Sequence, residues 1–298
     1  MRKIFLLSII MIVSVYSSLS SAMPIPSEVK TIVVFIFVPN HEGKLIPKGT
    51  GFFVGVKNPT KPDAFFVYLV TAKHVLQKPD DKSLFPLVLI RLNTKEGDAK
   101  EVPLPLVADG LNKNVFVHED NTVDLAVIPA LPDQNKYEFK FLSDDFITTK
   151  EDFKKLKITE GSDIFFTGLF TPHIGEHRNY PIARFGKVAL VTDEKIDWQG
   201  VKMELYLIES TSYGGNSGSP VFFYLGAERE PGSIMVGSPA LKLAGVVKGY
   251  FGEDRPIKII EAAKIPVVGA NIGISAIVPA YKLHEILFGT ELETRRKF

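Results

Sequence analysis

The sequence predicts an all-β sandwich or barrel, and two observations support this fold class. After residue 23 the chain has many short runs of β-branched and aromatic residues, punctuated by Gly, Pro and Asn, and it shows helical periodicity only near its end. Apolar runs at this spacing, separated by turn residues, are typical of antiparallel β proteins. The candidate strands are residues 30–38, 50–56, 65–71, 87–92, 125–128, 163–169, 183–191, 205–210, 220–224, 244–249 and 273–278.

A polar segment divides these strands into two groups. Residues 131–157 are rich in Asp, Asn and Lys, and we interpret them as a linker that contains one or two exposed helical turns. One β half then spans residues 23–130 and the other spans residues 158–298. Together the two halves form one domain. Apolar side chains recur at helical spacing in residues 280–288, which predicts a short C-terminal helix.

The start of the chain has the features of a secretory signal peptide. Two basic residues precede an apolar run at residues 4–15, and small residues at 20–22 offer a cleavage site near Ala22. The apolar run is shorter than the roughly 20 residues that span a bilayer, which disfavours the alternative of an uncleaved anchor. We therefore expect residues 1–22 to be removed and the mature protein to be periplasmic or secreted, without membrane association.

Composition narrows the classes of function. The chain has no cysteine, so disulfides cannot stabilise an exported form, but its 45% hydrophobic residues are sufficient for a large core. The formal net charge is +1, which gives no reason to expect a nucleic acid or an anionic membrane as a partner.

Three residues have the types and surroundings that acyl transfer by serine requires. Ser217 lies in Gly-Gly-Asn-Ser-Gly-Ser-Pro at residues 214–220, where glycines allow backbone to approach a substrate. His74 follows one candidate strand, and Asp124 precedes another. A serine nucleophile needs an imidazole to accept its proton and a carboxylate to orient that imidazole.

Each of these residues alone has a structural explanation, as a loop serine, a strand-end histidine and a turn-capping aspartate. Together they occur in the order His, Asp, Ser, which is one of the known orders of this triad. The linker falls between Asp124 and Ser217, so each β half contributes to a predicted site at their junction.

The residues around this trio carry a family resemblance. Thr-Ala-Lys-His-Val at 71–75, Asp-Leu-Ala-Val at 124–127 and Gly-Asn-Ser-Gly-Ser-Pro at 215–220 resemble the signature blocks of trypsin-like serine peptidases with the chymotrypsin fold. The first and third blocks are similar to bacterial glutamyl endopeptidases, and residues 272–279 resemble the end of HtrA-type protease domains. The resemblance extends over residues 49–279 and implies two six-stranded antiparallel β-barrels followed by a short helix.

The resemblance also implies an activity and further site residues. It implies an exported serine endopeptidase that cleaves protein or peptide substrates through an acyl-enzyme, with no cofactor and no metal. The oxyanion would be held by the backbone N–H groups of Gly215 and Ser217. The residues implied to line the substrate pocket are Thr211, Ser212, Val247, Lys248 and Gly249. None of them is acidic, so cleavage after Arg or Lys is not expected.

The residue before the nucleophile departs from the pattern of digestive relatives. Those enzymes have an aspartate there, which pairs with a buried N-terminal ammonium, whereas this chain has Asn216. A neutral amide cannot compensate a buried ammonium in the same way. We therefore expect other contacts, such as hydrogen bonds from the Asn216 amide, to order the oxyanion turn.

Two other functions fit parts of the sequence. His-Ile-Gly-Glu-His at residues 173–177 has the spacing of a zinc-binding helix, but a proline and a glycine in or beside it favour an exposed loop. The second alternative is a catalytically inactive binding protein that keeps the protease fold, against which the intact trio argues. Residues 225–241 are longer than the resemblance predicts and carry no assigned role.

Overall fold

The structure, a computed structural model, describes residues 24–61, 63–107, 114–226, 241–256 and 267–297, with the backbone alone at 253–256 and 267–270. The predicted signal peptide at residues 1–22 and most of the segment 225–241 lie outside the described residues. Within the described ranges, no helix is both long enough and apolar enough to cross a bilayer.

The prediction of an all-β fold is confirmed, because strands are the main elements of the described chain. The strands are β1 (Val33–Pro39), β2 (Leu45–Lys57), β3 (Phe65–Thr71), β4 (Leu87–Asn93), β5 (Ala99–Pro105), β6 (Phe116–Val117), β7 (Ala126–Pro129), β8 (Leu142–Ser143), β9 (Asp163–Gly168), β10 (Ile182–Leu190), β11 (Ile196–Trp198), β12 (Val201–Met203), β13 (Tyr206–Glu209), β14 (Pro220–Tyr224), β15 (Leu241–Pro256) and β16 (Val267–Pro279). The helices are α1 (Glu28–Thr31), α2 (Lys150–Lys155), α3 (Ala280–Leu287) and α4 (Thr290–Arg296), with 3-10 turns at Lys73–Leu76 and Asp144–Phe146.

The first half is a sheet of eight strands rather than the six that were expected. Its order is β5-β4-β1-β2-β3-β7-β6, and β8 pairs in parallel with β2. The central strand β1 is buried on both faces, which its continuous apolar sequence predicts. Strand β5 was missed because it lies at an edge and contains Pro and Lys, which are typical of protected edge strands.

The second half is a closed six-stranded barrel in the order β10-β13-β16-β15-β14-β9, as predicted. Strands β15 and β16 extend beyond the barrel as a long paired ribbon. A separate hairpin, β11–β12, turns through Gln199 and Gly200, both with positive φ. Two such residues make the tight turn whose twist matches antiparallel strands. This hairpin matters because Trp198 lies beside the candidate site.

The buried side chains form three groups, and the third of them joins the two halves. One lies inside the first half and one inside the second half. The third is continuous across both, from Phe35 and Phe52 in the first half to Phe165 and Phe222 in the second. It also includes side chains of α3 and α4, so the predicted C-terminal helix is confirmed and a second helix follows it. Residues at the junction of the halves are therefore held by a shared core.

Candidate active site

The pairing of β3 with β7 brings His74 and Asp124 together. The two strands are antiparallel, with Thr71 opposite Ala126, so the end of β3 lies beside the start of β7. His74 follows β3 in the 3-10 turn Lys73–Leu76, and Asp124 lies two residues before the start of β7. The proximity of these two residues is therefore a consequence of strand register.

Two hydrogen bonds join His74 to the Asp124 carboxylate. The backbone N–H of His74 donates to Oδ1 at 2.9 Å, and the ring Nδ1 lies 2.6 Å from Oδ2. Because an ionised carboxylate can only accept, Nδ1 carries the hydrogen, and in the neutral imidazole Nε2 is then the acceptor. The His74 side chain is 39% exposed whereas that of Asp124 is 5% exposed, so the imidazole faces the solvent side of the pair.

The Asp124 carboxylate is kept ionised by two neighbours. Burial alone would raise its pKa, but the charges and hydrogen bonds of His74 and Lys248 outweigh burial and hold the pKa of Asp124 well below its usual range. The Lys248 ammonium lies 2.9 Å from Oδ2, the same oxygen that meets the His74 ring. A buried anion with two hydrogen-bonding partners is a stable arrangement at neutral pH.

The turn that carries Ser217 is ordered by the side chain of Asn216. The Asn216 amide oxygen accepts a hydrogen bond from the N–H of Tyr213 at 2.8 Å, and its Nδ2 donates to the carbonyl of Leu169 at 2.7 Å. Asn216 is 1% exposed, so both bonds are shielded from water. These contacts match the expectation that the Asn216 amide orders this turn.

The backbone of the same turn leaves two N–H groups available. The N–H of Asn216 donates to Tyr213 and that of Gly218 donates to Val247. The backbone N–H groups of Gly215 and Ser217 donate no hydrogen bond to any residue that the structure describes. Gly215 and Gly218 have φ of 95° and 88°, a region that favours glycine. The turn thus presents the two N–H groups that were implied to hold an oxyanion.

The Ser217 hydroxyl has a partner other than His74. It donates to the backbone carbonyl of Lys248 at 3.1 Å. Ser217 and His74 are both described residues, and no hydrogen bond joins their side chains. The structure therefore brings His74 and Asp124 into direct contact, and connects Ser217 to the pair through Lys248.

Thr50 links the first half to the serine turn, and sequence reasoning had assigned it no role. Its N–H donates to the carbonyl of Ser217 at 2.9 Å. Its hydroxyl donates to the carbonyl of Gly215 at 2.8 Å and accepts from the N–H of Leu169 at 2.9 Å. The side chain is fully buried. A strand of one half therefore holds the turn of the other, and the Gly-Thr-Gly run in β2 was the available signal.

Replacement of Thr50 by valine is expected to destabilise the protein by about 1–3 kcal/mol, because the Leu169 N–H and the Gly215 carbonyl lose their partner while buried. The shape of the side chain is nearly unchanged. Thr50→Ser is the matched control, since it keeps the hydroxyl and removes one methyl group, which costs about 1 kcal/mol. Urea unfolding measures both variants. A valine variant as stable as the wild type would contradict the role of the hydroxyl.

A cavity of 490 Å³ opens beside His74. Its lining includes Trp198 of the β11–β12 hairpin, together with Lys248 and Asp124. The remaining lining residues are Lys73, His74, Gln77, Lys82, Asn121, Thr122, Gln199, Val201 and Met203. The cavity is large enough for side chains of a bound peptide.

Comparison with known proteins identifies the family. The family model described as the trypsin-like peptidase domain matches residues 49–226, more than half of the chain. The chain belongs to the trypsin-like peptidase family. A search among curated proteins finds no match.

Among three similar solved structures, the first supports the same fold for this trypsin-like family member. The protease domain of MamO from Magnetospirillum magneticum is 15% identical, with a TM-score of 0.50, and the match covers 87% of this chain and 97% of that one. Rv3671c from M. tuberculosis, in an inactive mutant form, is 15% identical, with a TM-score of 0.42 and coverage of 89% and 88%. AL20, a thermostable serine protease from an extremophilic microorganism, is 10% identical, with a TM-score of 0.47 and coverage of 86% and 94%.

Two of the five residues implied to line the substrate pocket make contacts within the protein. Val247 is fully buried in the core of the second barrel. The Lys248 ammonium meets Asp124 and lies 5.3 Å from the centre of the Trp198 ring. Lys248 therefore pairs with Asp124 at the junction of the halves and lines the cavity beside His74, and its assignment to substrate binding remains a prediction.

The other three pocket residues are placed differently from one another. Thr211 is exposed, whereas Ser212 is 1% exposed and its hydroxyl has no partner among the described residues. Gly249 lies against Trp198, where an added Cβ would be 3.2 Å from the ring. Their assignment to substrate binding remains a prediction.

The zinc-like motif lies in a loop, as its neighbouring proline and its glycine predicted. Residues 173–177 are irregular, with a bend at 176–177 and no helix. Arg91, which is 6% exposed, donates to the carbonyls of Gly175 and Glu176 and so anchors this loop to β4. Across the described ranges, no cluster of His, Asp and Glu side chains is arranged to hold a metal ion.

Proposed function

We propose that this protein is a serine endopeptidase in which His74, Asp124 and Ser217 form the catalytic triad. The observation that carries this proposal is the double hydrogen bond between His74 and the buried Asp124 carboxylate. Such a pair fixes the imidazole in the tautomer that can accept a proton from a hydroxyl. Membership of the trypsin-like peptidase family supports a serine protease type of function.

The proposed reaction uses each of these groups in turn. His74 Nε2 takes the proton of Ser217 as its oxygen attacks the peptide carbonyl, and the resulting oxyanion accepts from the N–H groups of Gly215 and Ser217. The imidazolium then protonates the leaving amine, which breaks the peptide bond and leaves an acyl-enzyme on Ser217. Water, deprotonated by His74, attacks this ester and releases the acid and free Ser217.

One change of conformation precedes this reaction. The Ser217 hydroxyl must turn from the Lys248 carbonyl toward His74 by rotation about its side-chain torsion. Hydrogen bonds between catalytic groups are commonly absent or long before substrate binds. A substrate that pairs with the Lys248 carbonyl would release the hydroxyl for this rotation.

A second candidate is a protease-fold binding protein without turnover. The hydrogen bond from the Ser217 hydroxyl to the Lys248 carbonyl favours this candidate, because the hydroxyl is not hydrogen-bonded to His74. In both cases the proposed partners are proteins or peptides. Export on residues 1–22 is also proposed, on the sequence features of that segment.

Reaction with a fluorophosphonate probe tests the proposal. We expect covalent labelling of Ser217, identified by mass spectrometry, and a rate of labelling that falls by about 10²–10⁴ in His74→Ala, because general-base catalysis is lost. Ser217→Ala is the control and should not be labelled. Folding of every variant is checked by thermal unfolding. Absence of labelling in folded wild-type protein would favour the binding protein and reject the enzyme.

A further inference from the structure

Lys248 touches both ends of the proposed triad. Its backbone carbonyl accepts the Ser217 hydroxyl at 3.1 Å, and its ammonium donates to Asp124 Oδ2 at 2.9 Å. The side chain is 11% exposed, and the nitrogen also lies over the Trp198 ring. A lysine in this position is therefore held in place by the carboxylate, the indole and the strand that carries it.

The Lys248 ammonium and the His74 imidazole contact the same oxygen of the Asp124 carboxylate. His74 Nδ1 and Lys248 Nζ both approach Asp124 Oδ2, at 2.6 Å and 2.9 Å. A carboxylate oxygen can accept two hydrogen bonds, so the contacts are compatible. Their electrostatic effects on His74 are opposed, because the carboxylate stabilises the imidazolium and the ammonium destabilises it.

Two further cationic side chains lie near this pair. Lys73 and Lys82 line the same cavity, and Lys73 donates to the carbonyl of Asn121 at 2.8 Å. The nearby carboxylate of Asp120 is engaged by Lys195 at 3.2 Å. Among the described residues that line the cavity, Asp124 is the one acidic side chain. Lys248 is the cation that contacts this carboxylate directly.

We propose that Lys248 is a positioning residue that sets the pH at which His74 becomes a base, acting through the shared carboxylate of Asp124. This inference rests on the proposed function. The ammonium keeps the carboxylate aligned and, as a second positive charge, opposes protonation of the imidazole.

The pH profile of probe labelling measures this effect. Loss of labelling on the acid side reports protonation of His74. In Lys248→Met the opposing charge is absent, so the imidazole pKa should rise and the acid midpoint should move to higher pH by about one unit or more. Lys248→Gln, which can still donate a hydrogen bond to Asp124, should show a similar shift, whereas Lys248→Arg should keep the wild-type midpoint. The glutamine variant also serves if the methionine variant does not fold.

The matched control is Lys242→Met. Lys242 lies on the same strand, is 15% exposed and pairs with Asp152 at 3.2 Å, so its loss removes a comparable buried ion pair away from the site. Its labelling midpoint should equal that of the wild type. A purely structural role of Lys248 would lower stability in the methionine variant and leave the midpoint unchanged, which would overturn the inference.

A second readout separates this inference from the proposed function. The His74 imidazole can be titrated by NMR in wild type and in the two neutral Lys248 variants, and this titration requires no turnover. A higher His74 pKa in both variants is expected even if wild-type protein is not labelled. Labelling of the wild type together with an unchanged His74 pKa would reject the role of Lys248 and retain the endopeptidase.

Discussion

Replacement of Ser217 by alanine is expected to abolish peptidase turnover, with a loss of about 10⁶ in kcat, as in triad knockouts of a comparable enzyme. The hydroxyl is the proposed nucleophile, and no neighbouring group can replace it in forming an acyl-enzyme. Its folded-state contact is one hydrogen bond to the Lys248 carbonyl at a partly exposed turn. The free energy of unfolding should therefore change by about 1 kcal/mol or less.

Ser219→Ala is the matched control for this experiment. Ser219 lies two residues away in the same turn, is fully buried, and its hydroxyl has no partner among the described residues. Its removal should leave turnover within a few-fold of the wild type. Cleavage of a peptide library, normalised to folded protein, measures both variants. A Ser217→Ala protein that keeps one tenth of wild-type turnover would refute the assignment of the nucleophile.

Replacement of Gly218 by alanine is expected to cause the largest loss of stability of any single methyl addition in the serine turn. Gly218 has φ of 88°, and an added Cβ would overlap the Thr50 carbonyl oxygen and the Thr71 hydroxyl. The Thr50 oxygen is a backbone atom of a central strand and cannot move away without breaking β-sheet hydrogen bonds. We expect destabilisation of about 3 kcal/mol or more, from the left-handed backbone and the overlap together.

Gly214→Ala tests whether this effect is specific to the position. Gly214 lies in the same turn, and an added Cβ there would have no heavy atom within 4 Å. We expect its free energy of unfolding to stay within about 0.5 kcal/mol of the wild type, as for most surface substitutions. Denaturant unfolding measures both. Similar stabilities of the two alanine variants would show that the turn can relax around Gly218.

The strands that sequence reasoning found are those whose side chains carry a strong local signal. Strands β3 and β14 have the predicted bounds, because continuous apolar and aromatic residues are buried there on both faces. Strand β5 alternates between partly buried and exposed residues at an edge, and the two-residue strands β6 and β8 are too short for any periodicity. Their pairing depends on neighbours distant in sequence.

In the candidate site, too, some features follow from local sequence and others depend on residues distant in sequence. Residue type and order by themselves identified His74, Asp124 and Ser217, and the amide in place of a carboxylate at Asn216 indicated how the serine turn is held. These inferences depend on local chemistry: glycines that permit a turn, and side chains able to accept or donate at known positions. The described structure places all four at the junction of the halves.

Only the tertiary structure shows the contacts of Thr50, Val247 and Lys248. Strand β15 has an irregular register between Val247 and Gly249, and the sequence does not say what covers the side chains of Val247 and Lys248. The barrel core covers Val247, while Asp124 of the other half and Trp198 of a separate hairpin cover Lys248. A lysine that local sequence places at the surface or in a substrate pocket is thereby a partner of the proposed catalytic carboxylate, because contacts between distant segments determine its environment.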